Sequence, residues 1–447
     1  MTDQRIGWSA LLSGGNGMRS LALAGGVALH AINVYIATTI LPSVVADIGG
    51  LDYYAWNTTL FIVASIIGSV LSAKLLGALG PRGAYGVAAG LFGLGTFICA
   101  IAPSMPVLLL GRFVQGLGGG LLFALAYAMI RLVFPQALWP RAMAVVSGMW
   151  GVATLAGPAI GGTFAELGSW RMAFWAVLPA TALFAGLALA ILPTKSPDTD
   201  ERSGLAVTQL VLLILAVFAV SLGSVDPRLV SNIAGIATAL VLVTILVIVE
   251  GRAGKRLLPR GAFRPSSQLA MLFLTISVLA ITVTTSEMFI PLFLQVLHAQ
   301  TPLIAGYLAV IMSAGWTIGS ILSSGHHGRR AEKAVRMAPV IALTGMILLA
   351  LLMPVASRGE WTSLTPISVA FALVGAGVGI SWPHLLTRIL HAAPSDEQDL
   401  ASAAITTVQL FATALGSALA GMVVNLAGLI DPGEQPEGGA DRRRRDD

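Results

Sequence analysis

MPVLLLGRFVQGLGGGLLFALAYAMI, residues 105–130, is the stretch from which the fold can be read. Apart from Arg112 and Gln115 it holds only apolar, aromatic and small side chains, over a length that crosses a bilayer core of about 30 Å as a helix. Backbone polar groups find no water in hydrocarbon, so such a run must bond within itself and be helical. Its glycines, Gly116 and Gly118 to Gly120 among them, lie inside the apolar run, where small residues let neighbouring helices approach. Placed there, they cannot cradle a phosphate as a glycine loop does.

The same pattern recurs on both sides. Spans are expected at 20–42, 53–76, 83–103, 105–130, 142–164, 172–193, 205–223, 229–249, 268–297, 302–324, 336–356, 363–388 and 400–429, which makes thirteen helices. The whole chain of 447 residues is 56% hydrophobic and 11% charged, against about one-quarter charged in soluble domains, so an all-α integral membrane protein is the fold class. Segment 1–19 is polar and glycine-rich, so the first apolar run is expected to act as its own insertion signal. The lone Cys99 lies within a span and excludes a disulfide framework.

Charge sets the topology. With the N-terminus in the cytoplasm, the outer loops hold only Arg171, Arg228 and Arg358, and nearly all other loop cations fall inside, as the positive-inside rule requires. The net charge of +5 is spread over these loops and forms no stripe, so a lipid bilayer is the expected partner and nucleic acid is not. The charged stretch after Pro193 and the basic stretch before Pro265 bracket two helices without an ionisable residue in their apolar cores. Residues 20–193 are therefore read as a six-helix bundle, 194–267 as a linker with two inserted helices, 268–429 as a five-helix bundle, and 430–447 as a polar tail. A repeat supports the halves. Gly77, Gly80 and Arg82 form G-x-x-G-x-R after the second helix, and Gly325, Gly328 and Arg330 repeat it after the tenth, as duplicated transporter halves do.

Ionisable residues deep in a span are costly and mark function. Glu287 is the acid set well inside a span, within Thr284-Thr285-Ser286-Glu287-Met288. A carboxyl there can take a proton from one side and release it to the other; a contact to a cationic substrate or a structural hydrogen bond are the alternatives. Arg112 cannot be neutralised, so it must find carbonyls, Gln115 or water, either tying helices together or setting the field around a titrating acid. Asn33, Tyr35, Thr38 and Thr39 place a polar stripe on the first helix, although threonines often bond back to their own helix. Trp382 and His384 on the twelfth helix stand a turn from Arg388; the histidine is either a proton relay or an interfacial residue. Gly157, Pro158, Gly161 and Gly162 on the fifth helix form a packing and hinge surface, since proline removes a backbone bond and small residues leave a groove. No nucleotide loop, metal signature or hydrolase elbow occurs, so an enzyme, a metal and a cofactor are not expected.

Arg112-Phe113-Val114-Gln115-Gly116 and Gly157-Pro158-Ala159-Ile160-Gly161-Gly162, with Ser169-Trp170-Arg171 and Leu41-Pro42, resemble motifs of the major facilitator superfamily, and within it of the fourteen-helix drug/proton antiporters, over about residues 20–425. The resemblance implies alternating access by two bundles around a cavity lined by helices one, four, nine and twelve. Asn33, Arg112, Gln115, Glu287 and His384 fall on those helices. It also implies a proton-coupled exporter of amphiphilic or drug-like molecules, driven by the proton gradient, monomeric, in the cytoplasmic membrane. Substrate would be held by Asn33, Tyr35, Thr38, Thr39, Gln115, Phe289, Trp382 and His384. Departures are the missing acids at Gly77, Gly325 and Asn33, and the five-helix second half ahead of Arg442 to Arg445, which reads as a truncated or frame-shifted end lacking a final helix, with a natural thirteen-helix form or a re-entrant last segment as the alternatives. A carrier of a sugar or organic acid, with Arg112 as anion ligand, is the alternative; a non-transporting receptor or lipid enzyme is a remote one.

Overall fold

The computed structural model describes residues 8–135, 138–194, 206–226, 228–324, 326 and 328–428. Gly325, most of the stretch joining the sixth and seventh spans, and the tail 430–447 lie outside the described residues. Helices run over Trp8–Leu12 (α1), Gly14–Ile48 (α2), Trp56–Ala100 (α3), Met105–Val133 (α4), Trp139–Glu166 (α5), Trp170–Ile191 (α6), Val207–Val225 (α7) and Leu229–Arg252 (α8). They continue over Gln268–Met288 (α9), Ile290–Val296 (α10), Pro302–Ser324 (α11), Gly328–Leu352 (α12), Trp361–Ala392 (α13) and Gln398–Leu426 (α14).

Among the described residues eleven helical segments are long and apolar enough to cross a membrane. One of these, Leu51–Ala100, holds two limbs, and Trp139–Glu166 adds another crossing, which completes the expected thirteen.

Three expectations are corrected in detail. The segment 1–19 is helical from Trp8, because α1 turns onto α2 at Gly14 (φ +55°), and Gly17 packs where a β-carbon would lie 2.4 Å from the Leu12 carbonyl oxygen. The turn expected around 77–82 shrinks to one residue: Gly80 alone leaves helical geometry inside α3 (φ 66°, ψ 176°), and Pro81 starts the second limb. The ninth span is broken at Phe289 into α9 and α10, with Pro291 in the first turn of α10, where its missing N–H costs nothing.

The helices form two bundles and an inserted pair. α2 to α6 share one apolar core, and α9 to α14 pack around two further cores. The inserted α7 and α8 lie against each other, with α7 also packed on α14. At their connecting turn Arg228 donates to Asp226 at 2.6 Å and holds that carboxyl well below the usual carboxylate range. Glu250, inside the last turn of α8, is buried and accepts the backbone N–H groups of Leu257 and Leu258, both at 2.7 Å.

Glycine positions α4. A β-carbon at Gly116 would stand 2.3 Å from the Phe61 carbonyl oxygen and one at Gly120 2.0 Å from that of Ser65, so both face the first limb of α3. One at Gly118 would stand 2.3 Å from the Phe92 nitrogen, on the second limb. Ser65 and Ser69 donate to the Gly116 and Gly120 carbonyls, both at 3.1 Å. Association in lipid lacks a hydrophobic drive, so such close backbone contact supplies the packing.

Candidate functional site

α4 is locked between the limbs of α3, which fixes Arg112 in the interior of the first bundle, 2% exposed. Its Nη1 donates to Gln115 Oε1 at 2.6 Å, one turn away on the same helix, and its Nε donates to the Asn57 carbonyl at 3.4 Å. Gln115 Nε2 donates to Asn33 Oδ1 at 2.9 Å and to Thr96 Oγ1 at 2.8 Å. The guanidinium carbon sits 4.1 Å from the centre of the Phe61 ring, a cation–π contact that partly replaces lost hydration. Among the described residues Arg112 forms no ion pair. One buried network thus joins Asn33, Arg112 and Gln115; in this arrangement Asn33 and Gln115 are wholly enclosed and present nothing to a cavity.

A second group of residues lies where the bundles meet. The first bundle's core reaches the second through Met288, Phe289, Leu292 and Ala420, beside the loop that joins α2 to α3. Phe289 is 3% exposed and stacks on Tyr54 (centroids 5.0 Å apart, 19° between planes). Thr59 Oγ1 donates to Ser417 Oγ at 2.8 Å, and Ser417 Oγ contacts the Ala55 carbonyl at 3.1 Å. On the other side α5 packs on α11: β-carbons at Gly162 and Gly306 would stand 2.5 Å from the Leu303 α-carbon and 2.9 Å from the Pro158 ring. The α5 glycines also admit α2, since Gly157 faces the Tyr35 β-carbon and Gly161 faces Ile36.

Glu287 closes α9 at this junction, half-buried and within electrostatic range of Tyr35. The Tyr35 hydroxyl lies 3.2 Å from Ser313 Oγ on α11, a hydrogen bond between bundles. Thr38 bonds back to the Val34 carbonyl at 2.9 Å, whereas Thr39 is buried against Gly306.

The remaining expected residues stand apart. Trp382 on α13 pairs with Trp316 on α11, centroids 4.9 Å apart, within a core of the second bundle, and His384 is half-buried beside it. Gly77 and Arg82 flank the Gly80 turn. Arg82 fastens it to the end of α6 through its backbone N–H to Pro193 and its Nε to Leu192, both carbonyl contacts at 3.1 Å. Gly328 (φ +55°) opens α12, whose first turn carries an exposed Arg330.

Three participants escape a reading of the sequence. Ser313 and Trp316 show no pattern beyond helical spacing. His30, buried on α2, carries a signal of its own, a lone imidazole in an apolar run, one turn before Asn33.

A family model described as Major Facilitator Superfamily matches residues 23–417. A probable multidrug-efflux transporter of Mycobacterium tuberculosis (strain ATCC 25618 / H37Rv) is 39% identical over 94% of this chain and 90% of its own length. Multidrug resistance protein 3 of Bacillus subtilis (strain 168) is 25% identical over 90% of this chain and 78% of that protein. Among solved structures, a D-xylose–proton symporter superposes with a TM-score of 0.58 at 14% identity, covering 92% of this chain and 96% of that one. A POT family transporter in complex with 5-aminolevulinic acid superposes at 0.60 and 14% identity, over 96% and 93%.

Proposed function

The chain belongs to the Major Facilitator Superfamily, and on that premise we propose that it is a proton-coupled exporter of amphiphilic, drug-like molecules working by alternating access. The observation that carries the reading is Glu287: a carboxyl set inside a span, at the junction of the bundles, beside a tyrosine that bridges them. When neutral, the acid tolerates the closed junction; when ionised, it favours a state in which water reaches it, so proton binding biases one access state over the other. Relatives named for multidrug efflux and multidrug resistance support export as the direction and drug-like molecules as the substrate class. With the N-terminus in the cytoplasm, as the loop charges favour, the packed end around Tyr54 and Phe289 would face outward.

Substrate would gain its affinity from apolar and aromatic lining, with Tyr35 and the Trp316–Trp382 pair as the large surfaces. Phe289 belongs to the closed outer junction in this state and would join the lining when the bundles rock apart. Arg112 is enclosed and engaged by Gln115, which disfavours anion recognition as its role. Energy would come from the proton gradient, and the chain would act as a monomer in the cytoplasmic membrane.

Drug uptake into inverted vesicles, with the pH gradient intact or collapsed, tests the proposal. Glu287→Gln is expected to abolish gradient-driven uptake, and coupling at the wild-type level in that variant would refute the assignment.

A further inference from the structure

We infer that the N-terminal turns of α12 are a docking surface for the headgroups of anionic phospholipids. α12 begins at Gly328, about two turns ahead of the apolar span expected from 336, and this added length carries Arg329, Arg330 and Lys333, with Arg336 at the boundary. One side of the helix is taken up by packing. Ala338, Ala342 and Gly345 are buried, and they meet α13 closely: a β-carbon at Gly345 would stand 2.7 Å from the Val374 nitrogen, and one at Gly377 2.5 Å from the Ala342 nitrogen. On the opposite side Val340, Leu343 and Ile347 are each more than half exposed, so in a membrane they lie against acyl chains.

The cations continue that lipid-facing stripe. At about 100° per residue, Arg329, Lys333, Arg336, Val340, Leu343 and Ile347 fall within a sector of about 80°, on the side away from the residues packed on α13. Along the axis Arg329 and Arg336 are about 10 Å apart, enough to cross a polar layer about 5–8 Å deep on one side of a bilayer. The stripe thus presents positive charge at the level of the phosphates and an apolar surface directly beneath it, matching the two parts of a phospholipid in order. All four cations are exposed, and their stems can lie along the apolar surface with the charged heads among the phosphates. The charge is unbalanced. Glu332 is the acid of these turns and pairs with Arg336 at 2.6 Å, whereas Arg329, Arg330 and Lys333 form no ion pair among the described residues. Arg260, in the connection from α8 to α9, shows the contrast, since Asp396 and Glu397 hold it. Four cations against one acid leave an excess of three positive charges. A zwitterionic headgroup brings no net charge to such a surface, while an acidic one is drawn to it by about fivefold per cation.

A fluorophore on the stripe reads which lipid sits there. Bimane is attached at Met337→Cys, an exposed position one residue beyond Arg336, on a Cys99→Ser background. This parent protein is set in phosphatidylcholine nanodiscs that carry a minority of brominated phosphatidylglycerol or, in parallel, of brominated phosphatidylcholine. The brominated phosphatidylglycerol is expected to quench as though enriched about fivefold or more at α12. With Arg329→Gln, Arg330→Gln and Lys333→Gln combined, the two lipids are expected to quench alike. Equal quenching in the parent protein overturns the inference. So does a preference that survives the triple substitution, because it would then belong to other basic loops. Should the triple variant fail to fold, the parent protein is read at about 1 M salt, where the Debye length falls to about 3 Å and most of the preference is expected to vanish; a preference indifferent to salt overturns the inference. Binding is measured with no gradient imposed, so the outcome does not depend on the transport reading.

Discussion

Asn33, Gln115 and Arg112 show how little a residue's type says about its partner. Arg112 and Gln115 are three apart on one helix, so their contact follows from spacing alone. The bond from Gln115 to Asn33 depends on the rotation of α2 against α4, which no spacing within either helix encodes. His30 is hidden for a related reason: its aromatic box is assembled from α3, α4 and α5, and none of those rings is near it in sequence. Gln115→Leu removes an acceptor from Arg112 and a donor from Asn33 and Thr96. Each orphaned buried group costs about 1–3 kcal/mol, so the variant is expected to lose several degrees in thermal unfolding in detergent. An unchanged midpoint would show that water already serves these groups.

At the scale of elements, hydropathy made the helices legible because lipid leaves the backbone no other choice, and every expected span is present. Breaks within them were less legible. The turn expected over 77–82 contracts to Gly80, while Phe289 parts α9 from α10 through a single residue whose chemistry also suits an unbroken helix. Glycines are where element packing can be tested. Gly118→Ala drives a β-carbon to 2.3 Å from the Phe92 backbone nitrogen, an overpacking worth about 1–3 kcal/mol. Gly90→Ala meets nothing within 4 Å and is expected to be neutral or to stabilise by up to about 1 kcal/mol through helix propensity. Unfolding of the two variants side by side checks the contrast, and equal losses would contradict the packing described for α4.

For the whole molecule, what matters is which end of the junction is closed. Thr59 and Ser417 bridge the bundles at 2.8 Å between hydroxyl oxygens, so Thr59→Cys with Ser417→Cys, on a Cys99→Ser background, places two thiols within disulfide reach. Oxidation is expected to stop transport and reduction to restore it; undiminished turnover of the crosslinked protein would show that this contact persists through the cycle. The two-bundle plan itself was foreshadowed by the loop motif and the charge asymmetry, whereas the docking of α7 on α14 had no counterpart in the pattern of residues. The glycine-lined fit of α4 bears on how a transporter of this kind could diversify. A helix touching backbone on both flanks has no tolerance for larger side chains at those glycines, so under the proposed function changes of specificity would fall on α2, α5, α11 and α13. Resistance mutations selected against unfamiliar compounds are therefore expected to accumulate on those four helices and to spare the α4 glycines.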